Sequence, residues 1–101
     1  MIPALSTALS GMLAQQTRLA VSASNVANAS TPGYRAQRTE LTAGPAGGVT
    51  TTVVASDGDV DFGSEMVETI EASLSFSANA KVFETGADLW DVLMSINRDQ
   101  T

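Results

Sequence analysis

The sequence predicts a mainly α-helical chain in which two long helices flank a short extended middle segment. Three features predict this class. Apolar and small residues recur at helical spacing near both ends, turn-forming residues interrupt the first repeat, and a Thr- and Val-rich stretch occupies the middle. At 101 residues the chain has room for one domain with a thin core. We expect this domain to comprise residues 1–33 as a helix and turn, 34–60 as the middle, and 61–101 as the second helix.

The first helix is indicated by a repeat with alternating spacings of four and three residues. Its members are Leu5, Leu9, Met12, Gln16, Leu19, Ala23 and Val26. Such a repeat is typical of the seam of a helix that packs lengthwise. Pro3 suits the first turn, and the breaker-rich residues 28–33 end the helix. Because Gln16 and Ala23 add little apolar surface to this seam, we expect the helix to need partners.

The middle of the chain contains two candidate strands, residues 34–41 and 49–55. Residues 42–48, which include Gly and Pro, separate them. The Thr and Val content favours β structure, but an isolated pair of strands is marginal in water. The sequence leaves open a β-hairpin and an extended, mobile loop.

The second helix is predicted from Asp61 to Asn97. Glu65 and Glu68 near its start and Arg98 at its end complement the helix dipole. One heptad track comprises Phe76, Ala80, Phe83, Ala87, Trp90 and Met94. A second, shifted track comprises Val82, Thr85, Leu89, Val92 and Ile96. This wide apolar arc implies that the helix contacts more than one neighbour.

The amino-acid composition excludes several classes of functional site. The chain has no cysteine and no histidine, so disulfides, thiolate or imidazole metal sites and Ser–His–Asp triads are excluded. A net charge of -6 has the wrong sign for nucleic acid. We therefore predict no enzyme activity, no cofactor and no nucleic-acid partner. The start lacks the pattern of a secretory signal, and no apolar run approaches the ~20 residues of a membrane span, so we expect no membrane insertion.

One acidic stretch imitates a calcium-binding loop. Asp57, Asp59 and Asp61 alternate, and Glu68 stands at the twelfth place. The sixth place, which requires glycine for the sharp turn, is Phe62. We therefore predict an acidic turn and helix cap, with no metal.

The most specific motif is Asn-Val-Ala-Asn-Ala-Ser-Thr-Pro-Gly-Tyr-Arg at residues 25–35. This motif and residues 8–19, Ala-Leu-Ser-Gly-Met-Leu-Ala-Gln-Gln-Thr-Arg-Leu, closely resemble the N-terminal signature of bacterial flagellar rod and hook axial proteins. Residues 60–67 and 77–85 are similar to the terminal helix of the same family. Two segments, 22–25 and 74–79, depart from its usual pattern.

The resemblance implies an antiparallel coiled coil of the two terminal helices, with the middle projecting outward or lying along a neighbour. It implies a structural subunit of the flagellar basal-body rod, exported without a Sec-type signal, which joins sister molecules in a hollow, torque-transmitting shaft. Implied partners are other axial proteins, further copies of the chain and the flagellar export apparatus. The short middle leaves no room for the large outer β domains of hook or distal-rod proteins. That favours a proximal-rod-type subunit or a minor paralogue.

We also predict the residues that contact other subunits. Aromatic residues on a helix stripe are usually packing anchors, and Phe83 and Trp90 are the expected hot spots. The predicted interface comprises Leu9, Met12, Leu19, Asn25, Asn28, Pro32, Gly33, Tyr34, Phe76, Asn79, Phe83, Trp90 and Met94. Two alternatives stay open: a soluble helical-hairpin adapter or chaperone that does not polymerise, and a calcium-responsive binding module.

Overall fold

The computed structural model describes residues 3–45, 47–56 and 58–99. The elements are α1 (Pro3–Ala27), β1 (Gln37–Ala43), β2 (Val49–Ala55) and α2 (Phe62–Asp99). The predicted class, two long helices with a short extended or hairpin middle, is confirmed. The molecule is elongated, with extents of 67 × 24 × 15 Å.

The two helices pair as an antiparallel coiled coil, as predicted. Asn25 near the end of α1 bonds to Glu65 near the start of α2, and Gly11 lies against Asn79. If both helices continue with the same rise per residue, this register places Pro3, the first residue of α1, near Ala87 of α2. Residues 88–99, which we call the terminal overhang, therefore extend beyond the first described residue of α1, by about 18 Å at the rise of an α-helix.

The face of α1 that packs inside the molecule is small and polar. Its buried residues include Ala8, Gly11, Gln15, Ser22 and Asn25. This face lies one residue away from the predicted seam, of which the members Leu9, Gln16, Ala23 and Val26 are exposed. The predicted seam coincides with the internal face only in part: Leu5 is buried and Met12 and Leu19 are half-buried. The rest differs because small residues let the helix backbones approach closely, which leaves several larger apolar side chains outside.

On α2 the residues that face α1 are partly those of the first predicted track. Phe76 and Phe83 are half-buried, and Ala72 and Gly86 are buried. Asp61 caps this helix, because its Oδ1 accepts hydrogen bonds from the Gly63 and Ser64 amides at 2.9 and 3.2 Å. Over the residues described, neither helix carries an apolar stretch long enough to cross a membrane.

The middle forms a hairpin, which decides between the two structures that the sequence left open. Its strands pair antiparallel from Gln37 with Ala55 to Ala43 with Val49. The hairpin lies along α1 of its own chain, where the Val49 amide donates to Ser10 Oγ at 3.0 Å. The hairpin is thus docked on α1, where Ser10 binds its backbone, and its expected packing along a neighbour stays a prediction.

Candidate functional site

A buried polar cluster joins both helices and the hairpin where the chain reverses direction. We call it the polar junction; it comprises Ser22, Asn25, Tyr34, Gln37 and Glu65. At its centre Asn25 is 1% exposed. Its Nδ2 donates to the Gln37 carbonyl and to Glu65 Oε1, both at 2.8 Å. Its Oδ1 accepts from the Tyr34 hydroxyl and the Gln37 amide, both at 2.8 Å. All four hydrogen-bonding positions of the side-chain amide are thus used within the chain.

The Glu65 carboxylate fixes the first turns of α2 against the end of α1. Its second oxygen, Oε2, accepts a hydrogen bond of 2.7 Å from the hydroxyl of Ser22, which is 1% exposed. Buried polar groups are costly unless they are paired, and here the two largest fully buried side chains, Asn25 and Ser22, share one carboxylate. The junction therefore specifies the register of the two helices.

A tight turn brings Tyr34 to the junction. The Tyr34 amide donates to the Thr31 carbonyl at 3.1 Å, and Gly33 has a φ of 77°. Pro followed by a positive-φ Gly is the arrangement of a type II β-turn, which confirms the turn predicted after the first helix. Asn28 reinforces the end of α1, since its Nδ2 donates to the Ser24 carbonyl at 2.9 Å.

A second polar contact between the helices lies one helical turn before Ser22, towards the start of α1. Arg18 Nε donates to Glu68 Oε1 at 2.6 Å, and its other nitrogens reach Gln15 Oε1 at 2.8 Å and Glu71 Oε2 at 3.3 Å. The hydrogen bond with Glu68 is the main cause that raises the pKa of Arg18 above its ordinary value. Sequence reasoning missed this pair because no local pattern links residues 50 positions apart.

The acidic stretch that imitates a calcium-binding loop makes other contacts in the structure. Asp57 lies outside the described residues, Asp61 caps α2, and Glu68 is held by Arg18. Within the ranges that the structure describes, no three acidic side chains come together as metal ligands.

Large apolar side chains remain exposed at both ends of α2. The terminal overhang exposes Leu89, Trp90, Val92, Leu93, Met94 and Ile96, each by 43% or more. At the opposite end a shallow groove of about 340 Å³ is lined mainly by Val26, Phe62, Met66 and Ile70; we call it the junction groove. Exposed apolar patches of this kind are typical of interaction surfaces.

The predicted interface residues fall into three groups. Leu9, Pro32, Gly33, Trp90 and Met94 are exposed. Met12, Leu19, Asn28, Tyr34, Phe76, Asn79 and Phe83 are half-buried, and Asn25 is buried. Their contact with other subunits stays a prediction, and Asn25 has an internal role. Sequence reasoning did not identify the junction groove, although the spacing of Phe62, Met66 and Ile70, four residues apart, could have revealed a stripe along one side of α2.

Comparison with known proteins finds similarity in the N-terminal part of the chain. Residues 5–35, which include most of α1 and Ser22, Asn25 and Tyr34 of the polar junction, match the family described as "Flagella basal body rod protein". The flagellar hook protein FlgE of Brucella suis is 43% identical over 42 residues, which are 42% of this chain and 11% of that relative. The FlgE proteins of Brucella abortus and Brucella melitensis match to the same extent. The chain thus spans about a tenth of the length of these relatives.

Proposed function

Because this chain belongs to the flagellar axial protein family, the family of rod and hook proteins, we propose that it is a structural subunit of the flagellar basal-body rod. In this role it joins sister axial proteins in a hollow shaft that transmits torque. The observation that carries the proposal is the match of residues 5–35 to the rod family, since this segment contains most of α1 and the turn that leads into the hairpin. The short middle segment favours a rod subunit over a hook subunit.

The shape of the molecule supports a load-bearing role. The molecule is 67 Å long, and the polar junction and Arg18 fix the register of its two helices. A pair of helices held in one register transmits a force along its axis without the helices sliding past each other. The fold also leaves large apolar side chains exposed at both ends of α2, which a subunit can bury against neighbours above, below and beside it.

The proposal extends to partners and location. Other rod and hook proteins, and further copies of this chain, are the expected neighbours, and the flagellar export apparatus is the expected route of delivery. The expected location is the part of the basal body that spans the periplasm. Among flagellar proteins, a chain that presents apolar surfaces at both ends fits a polymer better than an adapter that acts as a monomer.

Fractionation of the bacterium that encodes the chain tests the proposal. Intact basal bodies are purified, washed at high salt, and analysed by quantitative mass spectrometry for this chain, with a known rod protein and a cytosolic protein as references. The proposal predicts that the chain co-purifies with the rod protein at a constant ratio. Recovery in the soluble fraction alone would favour the adapter and contradict the proposal.

A further inference from the structure

We propose that the β-hairpins of two copies of this chain pair edge to edge, so that copies standing side by side share one continuous antiparallel sheet. The inference rests on the proposed function and deepens it by assigning a contact to the hairpin. The two surfaces are the outer edge of β1 near the turn, residues 39–43, and the outer edge of β2 near its end, residues 51–55. We call them the tip edge and the base edge.

The register of the strands decides which backbone groups point out of the hairpin. In an antiparallel pair, successive residues direct their N–H and C=O groups alternately towards the partner strand and away from it. The Gly44 amide donates to the Gly48 carbonyl at 2.9 Å, and the Ser56 amide donates to the Ala36 carbonyl at 2.8 Å. In the observed register, the even-numbered residues of both strands therefore make the ladder, and the odd-numbered residues point outward.

Helix α1 already binds one outward-pointing residue on each edge. Asn25 binds both the amide and the carbonyl of Gln37 at the start of β1, and Ser10 Oγ accepts from the Val49 amide at the start of β2. The helix thus crosses the hairpin from one edge to the other. No residue that the structure describes bonds to the outward backbone groups of the tip edge or of the base edge. Each strand therefore offers half of its outer edge to another strand.

The tip edge and the base edge fit each other. Two copies in the same orientation place β2 of one molecule beside β1 of the next, and these strands run antiparallel, as they do within one hairpin. The register that aligns the two edges sets three outward residues of each strand opposite one another: Thr51 with Ala43, Val53 with Leu41, and Ala55 with Thr39. Because such a residue pair exchanges two hydrogen bonds, the contact makes about six in all.

The side chains at these edges favour the pairing. Leu41 and Val53 are 39% and 43% exposed in one molecule, and the shared sheet sets them directly opposite each other. Apolar cross-strand pairs stabilise a sheet. Strand β2, Val-Thr-Thr-Thr-Val-Val-Ala, has no charge, proline or bulge of the kind that protects a sheet edge. Two copies of a chain with a net charge of -6 can therefore approach at this strand with little repulsion.

A copy of the chain fits this edge through its helices as well as its strands. In a shared sheet, equivalent strands of adjacent copies are two strand spacings apart, which is about 10 Å. The α1 helices, one on each hairpin, repeat at the same distance, and packed helices lie roughly 8–10 Å apart. The contact joins different edges of the two molecules, so it keeps all copies in one orientation and does not close on itself. A polymer of identically oriented subunits requires both properties.

The absence of cysteine in the chain makes a clean crosslinking test possible. Val53→Cys and Leu41→Cys are made in separate chains, which are mixed in concentrated solution and mildly oxidised. We expect mixed disulfide dimers at about ten times the yield of a control pair, because docking raises the effective concentration of the two thiols. The control replaces Leu41→Cys by Thr42→Cys, at the next exposed residue of β1, whose side chain lies on the other face of the sheet.

Proline distinguishes the two edges. Thr51→Pro, added to the Val53→Cys chain, removes an outward amide from the base edge without removing a ladder hydrogen bond, and should reduce the mixed dimer to the yield of the control pair. Ala43→Pro in the same chain makes the matched change at the tip edge. This chain does not use its tip edge in the mixed dimer, so the yield should stay unchanged. Circular dichroism should show the helix content of the parent chain in both variants.

Two results would overturn the inference. A mixed yield no higher than that of the Thr42→Cys control would show that the edges do not pair, and homodimers of the Val53→Cys chain in excess of mixed dimers would show a symmetric contact between β2 strands. If either result is found while the chain still co-purifies with basal bodies, the structural role stands and only the shared sheet is wrong.

Discussion

The side-chain amide of Asn25 donates a hydrogen bond of 2.8 Å to Glu65 Oε1, which joins the end of α1 to the start of α2. The same amide binds the first residue of β1 and the hydroxyl of Tyr34. One side chain thus couples the pairing of the helices, the tight turn and the docking of the hairpin. We expect these three features to form and unfold together.

Asn25→Ala tests this coupling. The change leaves four part-buried partner groups without their hydrogen bond to Asn25, and we expect it to lower the free energy of unfolding by about 3 kcal/mol. Urea unfolding followed by circular dichroism measures the loss. Asn97→Ala, at an exposed position of α2, is the control and should change stability by less than about 0.5 kcal/mol. Equal effects of the two variants would show that the junction does not stabilise the fold.

Gly11→Ala tests the close approach of the helices. A Cβ at Gly11 would lie 2.7 Å from Asn79 Oδ1 and 2.8 Å from Asn79 Cγ. Overpacking typically costs about 1–3 kcal/mol, which offsets or exceeds the gain of about 1 kcal/mol from the helix propensity of alanine. We therefore expect no stabilisation and up to about 2 kcal/mol of loss. In the background of Asn79→Ala, the same change should become stabilising, and a double-mutant cycle by thermal unfolding measures the coupling.

Arg18→Ala tests the ionic contact between the helices. The Arg18 side chain is only 15% exposed, and its removal leaves Glu68 and Glu71 without their cation. We expect a loss of about 1–2 kcal/mol, which is smaller at high salt. The matched control is Arg38→Ala, whose side chain pairs with Glu40 at the surface and is 62% exposed. A loss in the control equal to that of Arg18→Ala would contradict the account.

Trp90→Ala separates folding from assembly. Trp90 lies on the overhang and is 43% exposed, so the variant should keep the helix content and solubility of the parent chain. If this stripe contacts a neighbour, the loss of a large aromatic anchor should abolish swimming in soft agar. Asp91→Ala, the adjacent exposed residue, is the control. Wild-type swimming by the Trp90 variant would show that the stripe is not an assembly surface.

The sequence predicted the helices and the turn well because local signals mark them. Pro32 and Gly33 mark the bend, and Asp61 marks the start of α2 within one residue. The internal face of α1 was not predicted, because Ser22 and Asn25 pack through hydrogen bonds that hydrophobic periodicity does not register. The choice between hairpin and loop also depended on long-range contacts, since the backbone of Val49 is bound by Ser10.

The most direct test of the central claim is a cryo-electron microscopy reconstruction of the basal body at side-chain resolution. Our account predicts rod density in which each subunit of this chain is an antiparallel helix pair, with Asn25 against Glu65 and Gly11 against Asn79. Rod density without this chain, or subunits whose two helices are separated and bound to different molecules, would contradict it.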